Sequence, residues 1–329
     1  MPPLPADSLE RLGQTWALDA PTERKRMLII VNPYATTVST RLKNLVVAAL
    51  RGRYEVTAVE TKARDHATEL CREAQAENYD VVVAFGGDGT VNEAANGLAG
   101  GDVPLTCLPG GATNVYCKML GIPGDIVDAT EHLLRMADDW QPRRADLARV
   151  NGRHFVFSSG IGLDASVVER VDRHPYRKAK FGAFYFTWAA ITTFLTRYVT
   201  RPPRMRVALP GGRTVEGVTA IVQNGDPFTY FRNRPIHLAD GGRIDDGALS
   251  GLVLRRSTPT VMPTIIWRAF SHKARVTRHR AVDGFEGADE ITIRSLDGRP
   301  IPLQVDGDHI GDVTEASYGI APRALPVIS

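Results

Sequence analysis

The pattern with the clearest chemical potential is a glycine-rich turn that directly follows a strongly apolar run. Tyr79–Phe85 reads YDVVVAF and is followed by GGDGT at Gly86–Thr90, with Asn92 and Glu93 shortly after it. Glycines let a backbone approach a polyphosphate closely, and the free N–H groups at a helix N-terminus attract anions. Asp88 is expected at the carboxyl end of the strand, where α/β sheets place their ligands. The turn therefore predicts a phosphate site, with a plain strand-to-helix turn as the alternative.

Length and composition restrict the class of protein. The 329 residues suit two domains, and the 43% hydrophobic and 23% charged residues argue against wholesale disorder. The three cysteines form no CxxC pair, which argues against a disulfide scaffold or a zinc ribbon. No signal-peptide pattern is found at the N-terminus, and the uncharged stretch Phe181–Thr196 is too short to span a membrane. We therefore expect a cytoplasmic protein.

Charge is distributed unevenly between the two halves of the chain. Residues 1–145 carry 15 Lys and Arg against 19 Asp and Glu, a net charge of −4, whereas residues 146–329 carry 25 against 18, a net charge of +7. A basic half predicts an anionic partner such as a phospholipid surface, a nucleic acid or a phosphorylated small molecule. The cations are spread out and form no run, so nucleic acid is not expected.

The hydrophobic pattern changes near residue 145. Before that point, apolar strand patterns alternate with helical patterns, which predicts a parallel α/β sheet. After it, short strands are separated by Gly, Pro and Asp turns, which predicts an antiparallel sandwich or barrel. The predicted strands of this part are 150–158, 205–209, 214–223, 248–254, 274–280, 290–294 and 301–305, with helices near 177–198 and 259–269.

Five further motifs accompany GGDGTxNE in a fixed order along the chain. They are Asn32-Pro33, LPGGATN at 108–114, SGIGLDA at 159–165, DDG at 245–247 and VDGD at 305–308. In this order the motifs resemble the diacylglycerol kinase catalytic-domain family, which includes sphingosine and ceramide kinases and bacterial lipid kinases. The resemblance extends over residues 27–325, nearly the whole chain.

The resemblance implies a fold and its boundaries. A loose leader at 1–26 would precede a nucleotide-binding α/β domain with a parallel sheet at 27–145. An antiparallel β-sandwich domain for the lipid substrate would occupy 146–310. The C-terminal tail, 311–329, would return to the first domain.

The resemblance also implies an activity: transfer of the γ-phosphate of ATP to a lipid hydroxyl, with Mg²⁺. Such a reaction needs a phosphate cradle, a carboxylate linked to the metal and a base near the acceptor hydroxyl. Asp88 is implied to handle Mg²⁺-ATP and to be catalytic. Contacts to the nucleotide are implied for Asn32, Gly86, Gly87, Asp88, Gly89, Thr90, Gly111, Thr113 and Asn114.

Three carboxylates outside the phosphate loop complete the implied site. Asp308 stands where bacterial lipid kinases commonly carry Glu and is the candidate general base; the alternative for Asp306–Asp308 is a hairpin turn. Asp245 and Asp246 resemble an acidic turn that binds a structural Mg²⁺ in such kinases. A plain turn is the alternative there as well.

The motifs also depart from the family pattern. Ala112 and Val115 replace residues of the second glycine-rich motif, and the loop at 34–39 lacks the usual glycine. Ala112 and Val115 motivate a non-catalytic lipid-binding relative as one alternative. The leading hypothesis is a diacylglycerol kinase that makes phosphatidic acid. A kinase for a sphingoid base or monoacylglycerol would also fit the motifs, and NAD kinase is a further candidate because it shares the GGDG turn.

A membrane surface is the expected partner besides the diacylglycerol-like lipid. Arg170, Arg173, Arg177, Lys178 and Lys180 precede the aromatic stretch Phe181–Tyr198. Cations beside an apolar helix are typical of an interfacial segment, which would make the protein peripherally membrane-associated. The alternative is a core helix with a charged outer face, and a homodimer is left open.

Overall fold

The computed structural model divides into two compact units by its internal contacts. The first unit contains residues up to Ala145 together with Ala324–Ser329, and the second is Asp146–Arg323. The residues that the structure describes are 24–34, 38–138, 140–174, 185–231, 233–271 and 273–329. The predicted leader, 1–26, therefore lies outside the described residues except for its last three positions.

The first unit is a parallel sheet with helices. Its strands are β1 (Arg26–Val31), β2 (Glu55–Glu60), β3 (Val81–Gly86) and β4 (Leu105–Pro109), and its helices are α1 (Thr40–Leu50), α2 (His66–Ala76), α3 (Asp88–Leu98), α4 (Val115–Met119) and α5 (Ile126–Arg135). The order is β2-β1-β3-β4, and every adjacent pair is parallel. Strands β1, β3 and β4 read as continuous apolar runs because they are buried on both faces.

This strand order creates a switch point between β1 and β3. The chain leaves β1 toward β2 on one side, whereas β3 lies on the other side of β1 and leads toward β4. Open α/β sheets bind ligands at the carboxyl ends of strands where the order reverses in this way. Asn32 follows β1 and its N–H donates to the carbonyl of Phe85 near the end of β3 (3.0 Å). The first two motifs of the sequence therefore meet at the switch point.

The second unit consists mainly of short antiparallel strands. These are β5 (Arg143–Val150), β6 (Arg153–Phe155), β7 (Ser158–Ile161), β8 (Met205–Ala208), β9 (Thr214–Gly217), β10 (Thr219–Gln223), β11 (Thr229–Phe231), β12 (Arg234–Ile236), β13 (Leu249–Leu254), β14 (Val282–Ala288), β15 (Glu290–Ser295), β16 (Ile301–Val305), β17 (Asp308–Val313) and β18 (Glu315–Val327). Its helices are α6 (Leu163–Asp172), α7 over residues 185–193, which continues as a π-helix at Phe194–Tyr198, and α8 (Met262–Ala269).

Two antiparallel layers enclose the core of this unit. One sheet has the order β14-β13-β10-β7-β16-β17, and the other contains β18-β15-β8-β9. Apolar side chains from both sheets form one buried cluster, with Val222 and Leu303 from the first sheet and Val207 and Ile293 from the second. A parallel α/β unit followed by an antiparallel sandwich confirms the predicted fold class.

Individual strands differ from the prediction. The predicted strand 150–158 divides at Asn151-Gly152, whose positive φ angles of 48° and 85° make a two-residue hairpin turn. The predicted strand 274–280 is replaced by turns: the Ser271 hydroxyl accepts from the N–H groups of Lys273 and Ala274 (3.2 and 3.1 Å), and the N–H of His279 donates to the carbonyl of Val276 (2.9 Å).

The C-terminal segment returns to the first unit later than residue 311. β17 pairs with β16, and the first part of β18 pairs with β15, so both stay in the second unit. Only Ala324–Ser329 belongs to the first unit, where Val327 pairs in parallel with Leu105 of β4.

Candidate functional site

Two glycine loops pack backbone against backbone at the carboxyl ends of β3 and β4. The N–H of Gly110 donates to the carbonyl of Gly86 (2.9 Å). A Cβ on Gly111 would lie 2.6 Å from Cα of Gly87, and a Cβ on Gly86 would lie 2.4 Å from Oγ1 of Thr90. Glycine is required here by this close approach and not by an unusual φ angle. Gly87, Asp88 and Gly89 are nevertheless partly exposed, so a ligand can reach them.

Asn32 links the switch point to the phosphate loop. Its Nδ2 donates to Oγ1 of Thr90 (3.1 Å), and its Oδ1 accepts from the N–H of Tyr34 (2.9 Å). Lys43 is 6% exposed, and its Nζ donates to the carbonyls of Asn32 and Pro33 (2.9 and 3.2 Å). Burial lowers the pKa of Lys43, while the nearby charge of Glu60 acts in the opposite direction. The ends of β1 and β3 are thereby held by side chains on both sides.

Asp88 connects the phosphate loop to the second glycine-rich motif. It is the first residue of α3, and its Oδ1 accepts from the N–H of Tyr116 in α4 (3.1 Å). Burial lowers the pKa of Lys118, and the Asp88 charge partly opposes that shift. The Asp88 carboxylate at the start of α3 is thus linked to α4 through the N–H of Tyr116 and interacts with the charge of Lys118.

Asn114 closes the second loop on itself. It adopts a left-handed conformation with φ 50°, its Oδ1 accepts from the N–H of Gly111 (2.8 Å), and its Nδ2 donates to the carbonyl of the same glycine (2.8 Å). The structure thus gives Asn114 a role in ordering the loop, while the predicted contacts of Asn114 and Thr113 with a nucleotide stay predictions.

A cavity of about 310 Å³ lies beside Lys43 and the end of β1. Its volume is near the lower limit for ligand pockets. One wall of the cavity is formed by α1, and the opposite wall is formed by the ends of β1 and β2. Its lining residues are Val31, Pro33, Thr40, Lys43, Asn44, Val47, Arg51, Ala58 and Glu60. Residues 35–37 of the loop that lacks the family glycine lie outside the described residues.

In the second unit, Asp306-Gly307 forms the turn between β16 and β17. The φ angles of 48° and 84° and the pairing of Val305 with Asp308 define a two-residue hairpin. The Asp306 carboxylate is 3% exposed and accepts three backbone N–H groups, from Val156 (2.8 Å), Phe157 (3.0 Å) and Ser158 (3.1 Å). Asp306 therefore anchors the hairpin that carries the half-buried Asp308.

Helix α6 is attached to the same hairpin by both of its ends. Nε2 of Gln304 donates to Oδ2 of Asp164 (2.7 Å), and the N–H of Gly307 donates to Oε1 of Gln304 (2.9 Å). At the other end, the N–H of His309 donates to Oδ2 of Asp172 (3.3 Å). These contacts flank Asp308 on both sides and fix its backbone.

Asp164 is an ionisable residue that the sequence reasoning missed. Burial raises its pKa to about 6, and the hydrogen bond from Gln304 only partly offsets this effect. An Asp in the first turn after Gly162 indicates a helix start there, but that pattern carries no signal for burial of the carboxyl group.

The acidic turn at Asp245 and Asp246 is held by the chain's own donors. Both oxygens of Asp245 pair with the Arg243 guanidinium (2.9 and 3.2 Å), and Asp246 accepts from the N–H groups of Arg243 (2.9 Å) and Ala248 (3.1 Å). A cation at this turn would have to displace the guanidinium. Among the described residues, no three His, Cys, Asp or Glu side chains are grouped to hold a metal. The metal role of Asp245 and Asp246 stays a prediction.

The chain is similar in sequence to known proteins over most of its length. A family model described as the diacylglycerol kinase catalytic domain matches residues 26–150. A diacylglycerol kinase of Staphylococcus aureus (strain JH9) is 33% identical over 301 residues, which cover 88% of this chain and 87% of the relative. Another, from the bovine strain RF122 / ET3-1, is 26% identical over the same length.

Solved structures share the fold. The crystal structure of a diacylglycerol kinase from Bacillus anthracis str. Sterne has a TM-score of 0.71 at 23% identity, covering 94% of this chain and 98% of that one. A second structure from the same organism has a TM-score of 0.73 at 24% identity with the same coverage.

Gly111→Ala tests the contact between the two glycine loops. A methyl group 2.6 Å from Cα of Gly87 must push the loops apart, so we expect a loss of about 1–3 kcal/mol in the free energy of unfolding. The loss in unfolding free energy is measured by urea denaturation, which is monitored by circular dichroism. Gly124→Ala is the matched control, because a Cβ there meets nothing closer than 4.0 Å. Equal stability of the two variants would contradict the close approach.

Asp306→Asn tests the anchor of the hairpin. The amide NH₂ would face backbone N–H groups that now donate to a carboxylate, so we expect a loss of about 2–3 kcal/mol in unfolding free energy. Asp312→Asn on the same hairpin, where the side chain is partly exposed, should change it by less than about 0.5 kcal/mol. Similar losses for both would show that the three amides are not the cause.

Asp164→Asn tests the buried carboxyl through pH. Because the folded pKa, about 6, lies above the ordinary value of 3.8, protonation favours folding. This contribution is complete below pH 3.8 and is lost as the pH rises through 6. The variant should therefore be more stable than wild type at about pH 7.5, by at most about 3 kcal/mol, and equal to it near pH ~4. A stability difference that does not vary with pH would refute the raised pKa.

Proposed function

We propose that this chain, which belongs to the diacylglycerol kinase catalytic-domain family, transfers the γ-phosphate of ATP to diacylglycerol and forms phosphatidic acid. The observation that carries the proposal is the switch point of the first unit, where Asn32 bonds to Thr90 beside two packed glycine loops. Partly exposed backbone at Gly87–Gly89 suits the phosphates of a nucleotide. The choice of diacylglycerol among lipid acceptors rests on the relatives.

The first turn of α3 is suited to phosphate. The helix begins after Gly87 without a side-chain cap, so no capping side chain occupies the N–H groups of that turn. These groups and the helix dipole would face the negative charge of the nucleotide. The neighbouring Lys118 adds a positive charge close to Asp88.

Asp88 is the proposed partner of Mg²⁺-ATP. A bound Mg²⁺ would neutralise the negative charge that develops on the phosphates in the transition state of the transfer. The hydrogen bond from the N–H of Tyr116 fixes the orientation of the carboxylate before substrate arrives. Asp245 and Asp246 remain the proposed site of a second, structural Mg²⁺, in competition with Arg243.

Asp308 is the proposed general base. Its carboxylate would accept the proton of the lipid hydroxyl while that oxygen forms a bond to the γ-phosphorus and the bond to ADP breaks. The hairpin supplies a fixed backbone for this step, because the Asp306 carboxylate accepts hydrogen bonds from three backbone N–H groups and Oε1 of Gln304 accepts one from the N–H of Gly307.

We also propose that α7 lies at a membrane surface that supplies the lipid. Its inner side packs on α6, where Tyr185 and Ala189 join Val167 and Val171 in a buried cluster. On the outer side, Trp188, Ile191, Leu195 and Val199 are exposed, and the Arg170 guanidinium lies 5.0 Å from the Trp188 ring centroid. Apolar residues beside cations favour peripheral membrane association.

The preceding cations at 177–180 lie outside the described residues. Among the helices that the structure describes, none has the length and apolarity to cross a bilayer.

Asp88→Asn and Asp308→Asn test the proposed chemistry. Each should lower the rate of γ-phosphate transfer at least about 100-fold, because one removes the metal-linked carboxylate and the other the base. The assay follows labelled ATP into diacylglycerol in detergent micelles over a Mg²⁺ titration. Asp312→Asn on the Asp308 hairpin is the control and should retain activity.

Assays with other acceptors, run beside the diacylglycerol assay, show which part of the proposal fails. Label in a sphingoid base or monoacylglycerol, and not in diacylglycerol, would change the acceptor and keep the kinase. Label in NAD would replace the lipid kinase altogether. Near-normal turnover in either variant would remove that residue from its proposed role.

A further inference from the structure

A second exposed apolar surface of the sandwich unit lies on α8. The inner side of this helix packs on the core through Met262, Ile265 and Ala269. On the outer side, Ile266 is 52% exposed and Trp267 is 63% exposed. A tryptophan this exposed on a short amphipathic helix is unusual for a surface that meets only water.

The neighbouring hairpin β11–β12 extends this surface. The rings of Phe231 and Phe270 pack edge to face with centroids 5.5 Å apart, and both are exposed. The Arg234 guanidinium donates to the carbonyl of Phe270. We call Phe231, Ile266, Trp267 and Phe270 together the α8 surface.

Cations surround the α8 surface without acidic residues between them in the sequence. Residues 255–282 contain seven Lys and Arg and no Asp or Glu: Arg255, Arg256, Arg268, Lys273, Arg275, Arg278 and Arg280. Arg255 pairs with Asp283 and Arg275 with Asp240, whereas within the described part of the chain Lys273, Arg278 and Arg280 form no ion pair. The Arg268 guanidinium donates to the carbonyl of Arg275 (2.9 Å), and Nε2 of His279 lies 3.0 Å from Oγ1 of Thr264, which places the cationic segment 275–280 beside α8.

We propose that the α8 surface inserts into bilayers that contain anionic lipids. Trp267, Ile266 and the phenylalanines would enter the interface, and the surrounding cations would pair with the headgroups. A symmetric second copy fits poorly, because it would bring two sets of like charges together. Single-stranded nucleic acid fits less well, because the rings of Phe231 and Phe270 pack edge to face against each other and Ile266 is aliphatic, and the test below includes it as an outcome.

The biological reason for such a surface rests on the proposed lipid-kinase function. Vesicle binding is measured without ATP, so its result does not depend on kinase activity. The full chain is sedimented with phosphatidylcholine vesicles with or without ~30% phosphatidylglycerol, at low and high salt. Trp267→Ser should weaken binding to the anionic vesicles at least about fivefold. Lys273→Gln with Arg278→Gln should weaken it by about fivefold per charge removed, and high salt should reduce that difference.

Matched controls separate this surface from general effects. Leu45→Ser removes an exposed apolar side chain from α1, and Arg72→Gln removes an exposed cation from α2; both should bind like wild type. Brominated phosphatidylcholine should quench wild-type tryptophan fluorescence more than that of Trp267→Phe, which distinguishes α8 from Trp188 on α7. Equal quenching, unchanged binding of Trp267→Ser, or capture of an oligothymidine in place of vesicles would overturn the proposal.

A kinase assay on a short-chain diacylglycerol below its micelle concentration separates the two proposals. Trp267→Ser should keep wild-type turnover in that assay while losing vesicle binding. Absence of transfer by the wild-type protein with intact vesicle binding would refute the kinase and leave the α8 surface in place.

Discussion

The close approach of Gly87 and Gly111 is the constraint on which the first unit depends. Their backbones lie so near each other that a single methyl group would separate the loops. Because the loops follow neighbouring parallel strands, this contact also brings together the starts of α3 and α4. The hydrogen bond from Tyr116 to Asp88 depends on that register, and the hydrogen bond from Asn32 to Thr90 depends on the register of β1 with β3. A phosphate site built mainly from backbone needs such rigidity, since its N–H groups cannot adjust as side chains do.

The second unit depends on the buried side chain of Asp306. A carboxylate removed from water is costly unless donors replace its hydration, and Asp306 has three backbone N–H groups for this purpose. The same contacts fasten the β16–β17 hairpin to the segment before β7. Burial raises the pKa of Asp164, and the hydrogen bond from Gln304 offsets only part of that rise. Two aspartates of one unit therefore have different surroundings: Asp306 accepts three backbone N–H groups, whereas burial raises the pKa of Asp164.

Exposed apolar side chains have a similar meaning on α7 and α8. Each helix buries one side against the sandwich unit and leaves tryptophan and aliphatic residues on the other. A surface that meets only water seldom keeps such residues beside cations. A kinase whose acceptor stays in a bilayer would use both faces, and this link connects the proposed chemistry with the proposed membrane contact.

The amino-acid sequence by itself determined the two classes of unit and the order of the motifs. Continuous apolar strands such as Val81–Gly86 and the turn glycines are local signals, because periodicity and conformational freedom depend on near neighbours. The turn at Asn151-Gly152 is also a local signal, whereas at 274–280 turns that include hydrogen bonds to the Ser271 hydroxyl replace the expected strand.

Tertiary structure alone decided what the aspartates and the exposed aromatics do. Asp306 reaches amides about 150 residues away, and Asp164 reaches Gln304 140 residues away, so no local pattern distinguishes them from other turn or helix residues. The exposure of Trp267 likewise depends on which side of α8 the core covers. Burial is set by segments that arrive from elsewhere in the chain, and for that reason the charge state of Asp164 and the outward face of α8 became visible only in the folded protein.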